Sequence, residues 1–139
     1  MTDHERYAPF MEACEALAIQ AAKLGNSPVG CLIIKGNEIV AEAIEAGHSK
    51  QDITCHAEIE AIRMARKKLG KDLSDCELVT THEPCLMCGY AIRFHKINKV
   101  IYKEAVPYLG SITSNMALLK TKDVPPTWGK PPQIIQYKI

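Results

Sequence analysis

The sequence predicts an α/β domain whose sheet is parallel in part, with helices on both faces. Three observations carry that expectation. Helical and strand-like stretches alternate along the chain, two β-rich runs meet at a Gly-Asn-Glu turn, and each later strand is separated from the last by a helix. A strand that returns to its sheet through a helix crosses over and runs parallel to the first. The 139 residues make one domain, large enough to bury a core without disulfides.

Residues 4–24 carry helix formers with apolar Ala8, Met11, Leu17 and Leu24, and the run Gly25–Pro28 stops them. Pro9 lies early in that segment, where the first turn tolerates it. Val29–Lys35 is a continuous apolar run of strand length. Ile39–Ile44 alternates, so the two form a hairpin about Gly36, Asn37 and Glu38. A polar loop leads to a helix over His56–Leu69, a strand over Cys76–His82, a helix over Cys85–His95 and a strand over Lys99–Glu104. Beyond Pro107 the signal weakens: 112–120 reads as a short helix, 125–132 as a Pro-rich connector and 133–139 as a last strand.

Composition narrows function mainly by exclusion. Apolar residues are 47% and charged residues 24%, with a net charge of +1, so no strong field points to nucleic acid or a membrane surface. No run approaches the ~20 apolar residues of a membrane helix. The N-terminal residues lack a signal-peptide pattern, so a cytoplasmic protein with reduced thiols is expected. Cys14, Cys31, Cys55 and Cys76 sit among apolar neighbours and read as small core residues.

Two stretches carry chemistry. Cys85 and Cys88 follow Pro84 at a helix start, where a spacing of three puts both sulfurs on one face. The positive end of the helix dipole favours thiolate, the form that binds zinc. His56 also stands at a helix start. If the strands before these helices are adjacent and parallel, both starts open at one sheet edge, where α/β sheets bind ligands. One nitrogen and two sulfurs would leave a fourth tetrahedral position for water, the pattern of a catalytic zinc (Zn2+, one per chain). Such an ion acidifies water to a pKa of ~7. Glu58, two residues from His56 and free of the metal, is the candidate proton carrier. Two other readings stay open. A C-x-x-C pair also suits redox chemistry, which leaves His56 and Glu58 without a role. A structural zinc site needs a fourth ligand, for which His82 and His95 are available.

The order His-x-Glu followed by Pro-Cys-x-x-Cys is the signature of zinc deaminases. The segments SPVGCLII, CHAEIEAIR and THEPCLMCGYAI resemble, in content and order, the cytidine deaminase-like superfamily, and within it the branch of guanine deaminases, fungal-type cytosine deaminases and tRNA adenosine deaminases. The match runs over about 5–105 of a single domain spanning 1–139, with the tail 106–139 matching poorly. The resemblance implies a three-layer α/β/α sandwich with a mixed five-stranded sheet. It implies hydrolytic release of ammonia from an exocyclic amine. It assigns zinc to His56, Cys85 and Cys88 and proton transfer to Glu58. It places the backbone around Ala57 and Glu83 against the reacting amide edge, and it suggests a homodimer.

The chain departs from the resemblance in three places. Glu45 stands where relatives carry asparagine at the end of the second strand. An ionised glutamate only accepts hydrogen bonds, which suits a substrate edge rich in donors and repels phosphate; His48 in the same loop is the alternative contact. The tail lacks the basic terminal helix of tRNA-acting relatives, and the basic run Arg63–Lys68 divides between helix faces, so RNA is a possible partner that is not favoured. Tyr108, Trp128 and Tyr137 are candidates to cover a pocket. Cys55, the third departure, has no ligand role to fill. The expected function is deamination of a small nucleobase or nucleoside, a guanine-like purine ahead of cytosine. A tRNA wobble-adenosine deaminase is the alternative, and a zinc-stabilised interaction module is the non-enzymatic one.

Overall fold

In the computed structural model, which describes residues 1–139, the first helix starts one residue earlier than the apolar rhythm suggests. Thr2 caps it: its Oγ1 accepts the Glu5 N–H at 3.1 Å. Thr2 with Glu5 three positions on is a local start signal that apolar periodicity does not register. Helix α1 spans Asp3–Lys23 and carries Pro9 inside it rather than in its first turn. The order then runs β1 (Gly30–Lys35), β2 (Glu38–Ile44), α2 (Ala57–Leu69), β3 (Glu77–His82), α3 (Leu86–Phe94), β4 (Lys99–Glu104) and β5 (Gln133–Gln136).

The strands lie in the order β2-β1-β3-β4-β5. β1 is antiparallel to both neighbours, while β3, β4 and β5 are mutually parallel. The result is the mixed five-stranded sheet of an α/β/α sandwich. Side-chain alternation along β1 explains its unbroken apolar sequence. Cys31 and Ile33 join the core under α2 and α3, whereas Leu32 and Ile34 join the core under α1. A strand buried on both faces needs no polar positions. Gly30 opens β1 because α1 lies directly on it; the Cys14 carbonyl and Leu17 side chain occupy the space a Cβ would take. Cys14, Cys31, Cys55 and Cys76 are all buried, as small core residues.

One topological expectation needs correction. The strands that feed α2 and α3 are β2 and β3. They run in the same direction but are not adjacent, since β1 lies between them. The two helix starts still meet, because α2 and α3 pack against each other over one shared core.

The tail differs from its sequence reading in one segment. Residues 112–120 form a series of turns and no helix. Their polar backbone groups are claimed elsewhere: the Ile112 and Thr113 N–H groups donate to the Glu83 carboxylate at 2.9 and 2.7 Å, and the Leu119 N–H donates to Ser111 O at 2.9 Å. Tertiary partners override the local helical pattern. The Pro-rich connector includes one 3-10 turn, Pro126–Trp128. No helix is long and apolar enough to cross a membrane.

Candidate active site

His56 is the N-cap of α2 and Cys85 the N-cap of α3, with Cys88 in the first turn of α3. Neither side chain makes a capping bond to the backbone of its helix, so both are free to face each other. His56 Nδ1 lies 3.5 Å from Cys85 Sγ and 3.4 Å from Cys88 Sγ, and the two sulfurs are 3.8 Å apart. Zinc bonds of about 2.3 Å to sulfur and about 2.0 Å to nitrogen, at tetrahedral angles, require about 3.8 Å between sulfurs and about 3.5 Å between sulfur and nitrogen. The three donors therefore already stand at the separations one tetrahedral zinc needs. No other group of three or more His, Cys, Asp or Glu side chains has metal-binding separations. His82 and His95 lie outside it. His95 is buried beside α3, with Nδ1 2.6 Å from Ala91 O and Nε2 3.0 Å from Arg66 Nη1.

The protein alone already polarises this cluster. The Cys88 hydrogen bond pulls the Cys85 thiol down to about 4 against burial, with help from His56. The Cys85 bond pushes His56 up to about 9, again against burial. The Cys88 thiol is pushed well up by Cys85 and by burial. Metal binding replaces these protons, since thiolate and neutral imidazole are the ligating forms.

Glu58 sits one residue inside α2, 4% exposed. Burial pushes its carboxyl up to about 7. Thr80 Oγ1 on β3 lies 3.3 Å from its Oε2. His56, Glu58 and Cys85 share one cavity of about 320 Å³ with Glu45, His82, Glu83 and Tyr108, a volume within the range of small-molecule sites. The lining contains three glutamates and no Lys or Arg.

The remaining predicted contacts separate. Glu45 lines the cavity, and its Oε2 accepts the Gly47 N–H at 3.0 Å. Ala57 is fully buried at the first position of α2. His48 is exposed, packs beside Gly25, and does not line the cavity. Glu83 lines the cavity, but its carboxylate is 3% exposed and turned to the tail. It accepts the N–H groups of Val106, Ile112 and Thr113 and the Thr113 hydroxyl. Burial opposes its charge, yet these bonds outweigh burial and leave the carboxyl below its ordinary value. Of the three aromatic candidates, only Tyr108 reaches the cavity, at its rim and 82% exposed. Trp128 packs edge-on against Tyr90 and Phe94, and Tyr137 stacks on His4 of α1.

Sequence reasoning missed the tail clasp and the cavity position of His82. A sequence gives no separation between Glu83 and residues 106–113, so the clasp has no local signal. For His82, the expected strand over Cys76–His82 places it at a strand end, the location that could have marked it.

Comparison with known proteins follows the same lines. Residues 4–104 match the family model for the cytidine and deoxycytidylate deaminase zinc-binding region. A tRNA-specific adenosine deaminase from Aquifex aeolicus is 37% identical over 111 residues, covering 79% of this chain and 74% of the relative. The guanine deaminase of Bacillus subtilis is 39% identical over 95 residues, covering 67% of this chain and 61% of that protein, less than two thirds of its length. A solved structure from studies of A-to-I editing by tRNA:A34 deaminases at the wobble position superposes with a TM-score of 0.83 at 30% identity, covering 93% of this chain and 97% of its own. The three-donor cluster, the fold that assembles it and the match over residues 4–104 agree: the chain belongs to the zinc-binding cytidine and deoxycytidylate deaminase family.

Proposed function

We propose that this zinc-dependent deaminase acts on a small nucleobase or nucleoside, with a guanine-like purine as the first candidate. The observation that carries this reading is the lining of the cavity: Glu45 and Glu58, with no Lys or Arg. A polynucleotide is held largely through cationic contacts to phosphate. The Glu45 carboxylate, an acceptor with one oxygen not engaged by Gly47, suits a neutral ligand with N–H groups to offer. Guanine presents such donors on its ring and exocyclic nitrogens.

In the mechanism, His56, Cys85 and Cys88 are the residues that would hold the metal. Zinc held there would supply Lewis acidity, which lowers the pKa of a water to about 7. Glu58 carries two protons in turn: it takes one from the attacking water and passes it to a ring nitrogen, then takes the second from the newly added hydroxyl and passes it to the departing amine. Overall, water and the amine become a ring carbonyl and ammonia. Thr80 Oγ1 orients the Glu58 carboxylate. Glu45 accepts a donor of the substrate through its oxygen not engaged by Gly47.

A second reading is specifically supported. The Aquifex aeolicus relative and the superposed structure both concern tRNA adenosine deamination, and wobble-adenosine deamination fits that likeness. Ammonia release from guanine, cytosine, adenosine, cytidine, pterins and an anticodon stem-loop separates the two. Turnover of free guanine or another small base supports the first reading; turnover of the stem-loop alone replaces it with the second. A homodimer in the cytoplasm also belongs to the proposal. Exposed Met64 on α2 and Tyr90 and Phe94 on α3 support the dimer as apolar surface open to a second copy, and light scattering of the purified chain tests it.

A further inference from the structure

We infer that His82 is a specificity residue whose Nε2–H donates a hydrogen bond to a ring carbonyl oxygen of the substrate. The inference rests on the small-base reading above and adds to it the group that the base must carry. Its basis is the hydrogen-bond bookkeeping at the end of β3. Thr81 Oγ1 is buried and has two partners: it accepts the Gly30 N–H at 3.2 Å, and it lies 2.9 Å from His82 Nδ1. A hydroxyl has one hydrogen to donate. If Nδ1 carried a proton, that hydroxyl hydrogen would have no acceptor, and a buried unpaired donor is costly. The Thr81 hydroxyl therefore donates to Nδ1, which makes Nδ1 the acceptor and puts the ring hydrogen on Nε2.

Nε2 has no partner in the protein, yet it is not among the buried polar atoms left unpaired, so it reaches open space. His82 lines the same cavity as Glu45, His56 and Glu58. Burial pushes the imidazole below its ordinary value, opposed by the Glu104 carboxylate, so at neutral pH the ring is an uncharged donor. The cavity thus carries a tautomer-fixed donor from β3 as well as the acceptor Glu45 from the end of β2. Together they select a ring with a carbonyl oxygen on one edge and N–H groups on another. Thr81 is a positioning residue: it acts through the tautomer of His82.

The test uses the full zinc-loaded chain. Nitrogen-15 NMR of labelled histidine should show His82 protonated at Nε2 at pH 7, that state lost in Thr81→Val and restored in Thr81→Ser. Wild type should prefer guanine to 2-aminopurine, which lacks the ring carbonyl. His82→Leu should lower kcat/KM for guanine by about tenfold more than for 2-aminopurine, the worth of one such bond, with zinc content unchanged. An Nδ1-protonated or doubly protonated ring overturns the inference, as does a His82→Leu loss that is absent or equal for both bases. If wild type turns over no small base, the small-base reading fails instead. The tautomer and the His82 nitrogen shift on adding guanine then decide this inference: a shift at Nε2 supports it, and none overturns it.

Discussion

Replacing Glu83 with glutamine should loosen the tail and leave the metal cluster in place. The wild-type carboxylate accepts four hydrogen bonds. Its Oε2 takes the Ile112 and Thr113 N–H groups at 2.9 and 2.7 Å, and its Oε1 takes the Val106 N–H at 3.2 Å and the Thr113 hydroxyl at 2.7 Å. Glutamine keeps one oxygen. If that oxygen faces Ile112 and Thr113, its NH2 confronts the Val106 N–H, donor against donor. The Thr113 hydroxyl can rotate to accept, but the Val106 amide stays unpaired, and the two surviving bonds lose their charge assistance. The unpaired amide costs about 1–3 kcal/mol and each of the two weakened bonds about 1 kcal/mol, so the sum is about 3–5 kcal/mol. For a domain of this size that lowers Tm by about 10–15 °C. The effect has a pH signature. The folded-state carboxyl lies below its ordinary value, so its stabilisation is fully present above the unfolded pKa of about 4.3 and is lost as pH falls through the folded value. The gap between wild type and Glu83→Gln should therefore be largest at neutral pH and close in acid. Thermal unfolding from pH 3 to 7, with hydrogen exchange over residues 106–121, measures it. A Tm within about 2 °C of wild type at pH 7, with unchanged exchange in that segment, would refute the clasp.

Further predictions address the chemistry. Glu58→Gln should retain zinc and lose a factor of about 10²–10⁴ in kcat, as expected on removing a proton-transfer group; wild-type turnover in that variant would take Glu58 out of the mechanism. Cys85→Ala should lose zinc and unfold at lower temperature, because metal binding and folding are coupled; metal analysis and thermal melts read both. Glu45→Asn replaces a pure acceptor with a group that also donates, so the ranking of substrates should change. An unaltered ranking would mean that Glu45 lines the cavity without touching the substrate.

The sequence was informative where local chemistry decides structure. His56 and Cys85 follow turn-rich segments and precede helical periodicity, and each indeed stands at a helix N-cap. The unbroken apolar run of β1 and the alternating run of β2 reflect one strand buried on both faces and one at the sheet edge. What stayed illegible depends on long-range placement. Nothing local states that β1 inserts between β2 and β3, because strand order is fixed by which apolar faces pair. Nor does the 112–120 pattern reveal that a carboxylate some thirty residues earlier captures its amides. Glu83 was expected near the substrate through its backbone. Its side chain carries a different task because Gly110 leaves the room that a Cβ would fill against that carboxylate. The sequence offered His82 only as a fourth zinc ligand, because the Thr81 hydroxyl beside its Nδ1 is held in turn by the distant Gly30 N–H.

The central claim is that His56, Cys85 and Cys88 hold one zinc at an open site. X-ray absorption at the zinc edge, with metal analysis of the purified chain, tests it most directly. The account predicts one zinc per chain with two sulfurs at about 2.3 Å, one histidine nitrogen at about 2.0 Å and one further light-atom ligand. An active chain without zinc, or a zinc bound by any other set of side chains, would contradict it.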